Sequence, residues 1–494
     1  VIVNEFYLNS QDEVIVKLIN EALGLFKIEI KSDFKADYKK ISIENAFFSK
    51  EDTAEVLTKI SLEKNGGTIE KMTRREKVGL NGRRQAAEER RLVKKNVYEI
   101  FLELTKMPPA PWGILQGVRP TKIVHKRMKS GMARDEIIAQ LIDDYCVSRE
   151  KAELLVDVAC RQQAVLTMSD ERTVSIYIGI PFCPSRCLYC SFTAYVLPNE
   201  TKLQTFMETL YKDLDAAAEI VERKGLKVQS IYIGGGTPTS LPDAEFAALL
   251  DRIDRFYQPS TLEYTVEAGR PDSVSDFKIA AMKRHKVNRV SVNPQTMQQK
   301  TLNYIGRKHT VEAIIELFHK FRAAEMANIN MDLIIGLPGE TLDDVKDTLD
   351  KVIALKPNDI TIHALALKKG SRLKMNLDEY PLPDDEAVQE MFALALKSVE
   401  ANGYIPYYLY RQGYMRGNME NIGCAKKGAE GIYNIQIMEE EQTVIGIGAG
   451  AATKIFTGEG NALKSSYNAK DLLTYLSDID RYIKKRAALL DSAF

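Results

Sequence analysis

Short apolar runs recur between residues 173 and 370, separated by stretches of helical periodicity. The runs 173–181, 230–236, 263–269, 289–295, 329–337 and 359–367 are strand-like. Between the first two, Leu203, Phe206, Met207, Leu210, Leu214 and Val221 return at helical spacing and put one apolar stripe on a helix. Repeated strand-helix units predict a parallel sheet with right-handed crossovers, doubly wound or closed toward a barrel. The polar positions favour the barrel. Glu267 and Gln295 end two strands, and Asp332 shares one strand face with Asn330, Ile334 and Gly336. Carboxylates and amides pointing inward from several strands suit a barrel whose C-terminal mouth holds a ligand, whereas an ordinary parallel sheet is apolar on both faces.

The flanks read differently. Residues 1 to about 70 mix β-branched runs (Val1 to Val3, Lys27 to Ile30, Ile41 to Ile43) with a helical pattern at Ala54, Val56, Leu57 and Ile60, predicting a small α+β unit. A basic run follows, with Arg74, Arg75, Arg83, Arg84, Arg90 and Arg91, broken by Gly79 and the turn pair Asn81-Gly82. Interleaved Glu76, Glu88 and Glu89 favour a solvated helix face over an anion-binding or partner surface. After a Pro-rich break around Trp112 comes Gly117-Val-Arg119-Pro-Thr121-Lys122. Thr121 there is placed to cap a helix and carry Arg119 and Lys122 near its positive end, which suits a carboxylate ligand as well as it suits a packed hinge. Two helices are expected over 134–166, with Cys146 and Cys160 as core thiols. A helix over 385–402, an aromatic strand over 404–410 and a glycine-rich segment at 446–450 complete the chain. The expected domains are 1–168, an N-terminal α+β and helical domain; 169–372, the barrel; and 373–494, a mixed α/β cover.

Charge narrows the range of partners. Lys plus Arg and Asp plus Glu number 68 each in 494 residues, so no global field draws the chain to nucleic acid or an anionic membrane, and any anion site must be local. No apolar run approaches the roughly 18 residues of a spanning helix. Six cysteines make no disulfide framework, and the expected compartment is the cytoplasm.

Three of those cysteines fall in Phe182-Cys183-Pro-Ser-Arg-Cys187-Leu-Tyr-Cys190-Ser-Phe192, just beyond an apolar strand. Thiolates at this spacing suit a soft metal centre, zinc, copper(I) or an iron-sulfur cluster. The missing fourth cysteine is a defect for structural zinc, but in a four-iron cluster it leaves one iron open. The next strand runs into Gly234-Gly-Gly236-Thr237-Pro-Thr239, where glycines let backbone approach a ligand at the same mouth.

Together the three-cysteine spacing, the Gly-Gly-Gly-Thr-Pro-Thr turn and the strand-end Glu267, Gln295 and Asp332 resemble the radical S-adenosylmethionine superfamily. The closer resemblance is to its oxygen-independent coproporphyrinogen III oxidase and haem-chaperone branch. Gly-Val-Arg-Pro-Thr-Lys, Leu409-Tyr-Arg411-Gln412, Tyr433-Asn-Ile-Gln-Ile-Met and Gly446-Ile-Gly-Ala-Gly450 look more narrowly like the HemZ-type coproporphyrinogen dehydrogenases. The resemblance implies a partial (β/α)6 barrel in an α/β chain. Cys183, Cys187 and Cys190 would ligate a [4Fe-4S] cluster. Gly235, Gly236 and Thr237 would meet the amino group of S-adenosylmethionine, Glu267, Gln295, Arg307 and Asp332 its methionine and ribose parts, and backbone from Tyr189 to Phe192 its adenine. Tyr177 would stand beside the cluster, with Glu267 the other catalytic residue. A porphyrinogen or haem substrate, with Arg119, Lys122, Arg411 and Arg416 as carboxylate partners, and an electron donor such as flavodoxin or ferredoxin are implied as well. Phe192 stands where the oxidases have a fourth cysteine and the chaperones a phenylalanine; the chaperones' His-Asn-x-x-Tyr-Trp motif is absent. The expected reaction is decarboxylation of coproporphyrinogen III. The alternatives are haem carriage and a haem-degrading methyltransferase.

Overall fold

A computed structural model describes residues 2–30, 38–64, 67, 69–80, 84–192, 194–413, 415–458 and 463–494. Val1, the turn pair Asn81-Gly82 and Arg83 lie outside the described residues. The chain divides into two units, Val1–Gly117 with Ile123–Val156, and Val118–Lys122 with Asp157–Phe494.

In the first unit, strands Tyr38–Phe47, Thr53–Glu63 and Ile69–Gly79 form an antiparallel meander, and Ile2–Leu8 pairs in parallel with the first of them. The helical expectation around Ala54 is overturned. Ala54, Val56, Thr58, Ile60 and Leu62 are buried at a period of two, and partners on both sides fix the segment as a strand. Helix Gln85–Thr105 packs Val93, Val97 and Phe101 into the same core, where the Asn96 amide reaches the Thr58 hydroxyl at 3.2 Å. The basic run is divided between that helix and the strand Ile69–Gly79. Its cations meet the unit's own carboxylates: Arg74 with Glu99 at 2.6 Å, Arg75 with Glu55 at 2.5 Å, Arg90 with Asp12 at 3.2 Å and Arg91 with Glu88 at 2.8 Å. The expected helices are Arg134–Tyr145 and Arg149–Leu166. Cys160 is exposed, past the edge of the stripe made by Ala152, Leu155, Val156 and Ala159, and so is not the core thiol expected.

The second unit is built on six parallel strands, Thr173–Ile180, Lys227–Gly235, Glu263–Glu267, Arg289–Gln295, Asn328–Ile335 and Asp359–Ala364, each beside the next in chain order. Helices such as Glu200–Lys224 make the crossovers, so the six form the partial barrel of an α/β fold. The C-terminal region extends this sheet at both edges. Thr443–Gly448 pairs in parallel with the first strand, and Asn421–Ala425 pairs antiparallel with the sixth.

A buried polar floor lies at the N-terminal ends of the barrel strands. Arg289 sits 3.3 Å from Glu263 and 3.0 Å from Asp359, and the Tyr407 hydroxyl donates to Asp359 at 2.7 Å. Helix Ile432–Glu439 starts here. The backbone N–H groups of Ile432 and Tyr433 donate to the Glu263 carboxylate at 2.7 and 3.1 Å, so a charge inside the sheet serves as the helix's anionic cap.

Candidate active site

At the opposite ends of the strands, the cysteine loop is held on several sides by backbone. Gly236 N–H donates to the Ile180 carbonyl and Thr237 N–H to that of Phe182, both at 2.7 Å, which joins the glycine turn to the start of the loop. The Thr237 hydroxyl lies 3.5 Å from the Cys183 sulfur. Further along, Leu188 N–H donates to the Ile305 carbonyl and Leu373 N–H to that of Leu188, both at 3.0 Å. Arg270 donates to the Ser185 hydroxyl at 2.8 Å while its other nitrogens grip Asp272 at 3.0 and 2.7 Å. Burial pushes the Cys183 and Cys190 thiols up.

Two glycines of the turn are sterically required. Gly235 has φ +110°, and a Cβ there would stand 2.8 Å from the Ile180 carbonyl oxygen. A Cβ on Gly236 would stand 2.5 Å from the Phe182 carbonyl oxygen and 3.0 Å from the Cys183 sulfur. Gly236→Ala is therefore expected to push the first cysteine out of place. Iron reconstitution should yield less than half the wild-type iron per chain with the circular-dichroism spectrum unchanged, and a full iron complement would refute the assignment.

Deeper in the barrel, side chains of one layer meet. Tyr177, Tyr232 and Tyr433 stack, with ring centroids 4.4 Å apart for Tyr232 and Tyr433 and 6.1 Å for Tyr177 and Tyr433. The Tyr232 hydroxyl donates to Glu267 at 2.6 Å. Burial, reinforced by the Asp332 carboxylate, pushes Glu267 up to about 7, with the Tyr232 hydrogen bond acting the other way. Asp332 accepts from the Asn330 amide at 2.7 Å and has His363 at 3.9 Å. Arg307 is buried, donates to the Asn293 carbonyl and reaches the Tyr189 hydroxyl at 3.4 Å; the nearby Tyr189 and Cys187 hold its pKa up against the effect of burial. Gln295 ends the fourth strand at a register shift, with φ +68°, a conformation an L-residue rarely adopts. Its side-chain oxygen is buried without a hydrogen-bond partner, as is Arg307 Nε.

The predicted residues thus fall into three groups at one mouth. Cys183 stands with Gly236 and Thr237, Cys187 with Arg307 and Tyr189, and Tyr177 with Glu267 and Asp332. Phe192 stands apart: its ring is 67% exposed under the Lys368 ammonium, 5.9 Å from the centroid. The four cations expected to meet substrate carboxylates are engaged by the chain itself. Arg119 and Lys122 hold Glu440 at 3.1 and 2.6 Å, Arg411 donates to Asn418 at 2.6 Å, and Arg416 lies 3.5 Å from Asp385. Sequence reasoning overlooked Tyr232, and named Tyr433 only within a motif without placing it in the barrel. Tyr232 had a signal, since it shares a strand face with Gly234 and neighbours Tyr177 across the ladder; Tyr433 arrives from a C-terminal helix that no periodicity ties to the barrel.

Among the described residues no three Cys, His, Asp or Glu side chains gather as ligands of a single metal ion. A cluster instead asks for one thiolate per iron, and the donor set here is three separate thiols. The unpartnered Gln295 oxygen and Arg307 Nε give a polar cofactor places to bind.

The chain is also similar to known proteins. Residues 177–352 match the family model of the Radical SAM superfamily. The chain is 39% identical over 412 residues, 81% of its length and 82% of the relative's, to the oxygen-independent coproporphyrinogen-III oxidase-like protein HemZ of Bacillus subtilis. The chain belongs to the radical S-adenosylmethionine superfamily, in its coproporphyrinogen oxidase-like branch. As a radical S-adenosylmethionine protein it uses a [4Fe-4S] cluster and S-adenosylmethionine. Within this superfamily it is also 31% identical to the Heme chaperone HemW of B. subtilis, over 56% of this chain and 70% of that one. The coproporphyrinogen III oxidase HemN of Escherichia coli shares the fold, with TM-score 0.51 and 22% identity over 65% of this chain and 72% of that one.

Proposed function

We propose that this chain is an oxygen-independent coproporphyrinogen III dehydrogenase, converting each propionate side chain to a vinyl group with loss of carbon dioxide, of one hydrogen atom to the adenosyl radical and of one electron to an acceptor. One observation carries the reading: three cysteines joined to a glycine turn open onto the same barrel mouth as Glu267, Asp332 and a buried, unpartnered Gln295 oxygen. The cluster and S-adenosylmethionine, when bound, supply a hydrogen-abstracting 5'-deoxyadenosyl radical.

The protein's own residues do the rest. Cys183, Cys187 and Cys190 hold the cluster. Gly235 and Gly236 leave room for the cofactor's amino group, with the Thr237 hydroxyl beside it. Arg307 and Gln295 offer a cation and an amide to its methionine portion, and Glu267 and Asp332 offer acceptors to its ribose. Tyr232 fixes the Glu267 carboxyl through one hydrogen bond, while Tyr177 and Tyr433 exclude water beneath it.

The test is anaerobic. Reconstituted protein, reductant, an electron acceptor, S-adenosylmethionine and coproporphyrinogen III should yield deoxyadenosine and a product that oxidises to protoporphyrin, lighter than coproporphyrin by two carbon dioxide and four hydrogens. Deoxyadenosine without propionate loss would reject the decarboxylase. A second reading, haem carriage, is favoured by Phe192 and by the likeness to the chaperone. Stable haem binding with transfer to an apo-acceptor, and no decarboxylation, would establish it instead.

A further inference from the structure

The cysteine loop turns one flank toward solvent, and that flank is lined with cations. Segment 368–374 runs along it: Arg186 donates to the Gly370 carbonyl at 2.7 Å, Arg372 donates back to the Arg186 carbonyl, and a Cβ on Gly370 would stand 3.5 Å from the Ser191 carbonyl oxygen. Residues 305–308 flank the loop too, since a Cβ on Gly306 would stand 3.9 Å from the Arg186 carbonyl oxygen and 4.0 Å from the Arg372 guanidinium. Around the loop this gathers Arg186, Lys308, Lys368, Lys369, Arg372 and Lys374, all but the half-buried Lys368 exposed. Two exposed carboxylates, Asp378 and Glu379, follow at one end, where the Glu379 carbonyl accepts from Tyr304. Lys308, Lys369 and Lys374 take part in no ion pair among the described residues. The ring of Phe192 and the side chain of Met375, 67% and 64% exposed, add apolar surface among the cations.

In a chain of zero formal net charge such a patch stands out. Its cations have no internal role on the scale of the Glu440 or Asp359 pairings, and it adjoins the loop that holds Cys183, Cys187 and Cys190. We propose that this basic collar is the docking surface for an acidic one-electron carrier protein, which reduces the metal centre held by the cysteine loop. The inference rests on the reductive chemistry of the proposed function. One electron leaves the carrier and enters the centre, and no bond forms or breaks at the interface. Charge complementarity around a small apolar patch suits such an encounter, because redox pairs meet through small, transient interfaces whose on-rates depend on electrostatic steering. The collar lies outside the group formed by Glu267, Asp332 and Tyr177.

The test uses Lys369→Glu with Lys374→Glu in the reconstituted full chain, with an acidic flavodoxin as the probe. Two readouts are compared: the flavodoxin dissociation constant by calorimetry at low and high salt, and anaerobic deoxyadenosine formation driven by flavodoxin hydroquinone or by dithionite. Flavodoxin binding should weaken at least about tenfold, and the wild-type affinity should fall with salt. The flavodoxin-driven rate should fall in step while the dithionite-driven rate stays within about twofold of wild type. Unchanged flavodoxin affinity would overturn the proposal. Equal loss with both reductants would overturn it as well and assign the collar to substrate or cofactor. Failure of the wild-type chain to form deoxyadenosine with dithionite would instead count against the reading on which the proposal rests.

Discussion

Cys187→Ala is expected to leave the reconstituted protein colourless. Its thiol lies beside the Arg307 guanidinium, and of the three cysteines it alone is buried. Of the other cysteines in the same unit, Cys424 is buried on a strand paired on both sides, opposite Ile360 near the N-terminal end of the sixth strand, and Cys160 is exposed on a helix. Substitutions beside a metal ligand already cost about 10–100-fold in affinity, and removing the ligand should cost more. Iron per chain should fall to background, the brown charge-transfer absorption should vanish, and deoxyadenosine formation should become undetectable. The far-ultraviolet spectrum should stay, because the loop is held by backbone bonds at Leu188, Gly236 and Thr237 that do not involve this sulfur. Four irons per chain in the variant would sink the ligand assignment.

Glu267→Gln should act in two opposite directions. It removes an acceptor proposed to hold the cofactor, and activity should fall by about two orders of magnitude or more. Stability of the cofactor-free protein should rise at alkaline pH. The carboxyl goes from an ordinary value of 4.5 when unfolded to about 7 in the fold, so the folded state holds its proton more tightly. Its contribution is therefore fully present below about 4.5 and is lost as pH climbs to about 7, at a cost of up to about 3 kcal/mol. Glutamine keeps an oxygen for the Tyr232 hydroxyl and carries no charge. Melting curves of the two proteins should converge near pH 5 and separate by pH 8, with the variant higher. A variant that melts lower at pH 8 would show that the carboxylate is stabilised by groups other than those described.

The barrel was legible because its strands are buried on both faces and announce themselves as apolar runs, with Glu267, Gln295 and Asp332 as the exceptions that mark the mouth. Ala54 to Ile60 misled because Leu57 interrupts an alternation that only the neighbouring strands make decisive. Arg119 and Lys122 were read as suiting a carboxylate ligand or a packed hinge; the carboxylate they meet is the chain's own Glu440, more than 300 residues away, and no local pattern can supply so distant a partner. The same limit hid the place of Tyr433. Tyr177 and Tyr232, one on each of two adjacent strands, were within reach of a period-two reading.

The placement of Thr443–Gly448 against Thr173–Ile180 has a consequence for how the chain is made. The first strand of the barrel waits for a neighbour synthesised some 260 residues later, at about 5–20 residues per second on the ribosome. Until then a flat, apolar edge with unsatisfied amides is presented to every other nascent chain, and the sixth strand has the same exposure until Asn421–Ala425 emerges. Premature termination before residue 421 would leave both edges bare, so a prematurely shortened product should be recovered in inclusion bodies or bound to chaperones, and its loss would reflect unmet pairing partners rather than any missing chemistry.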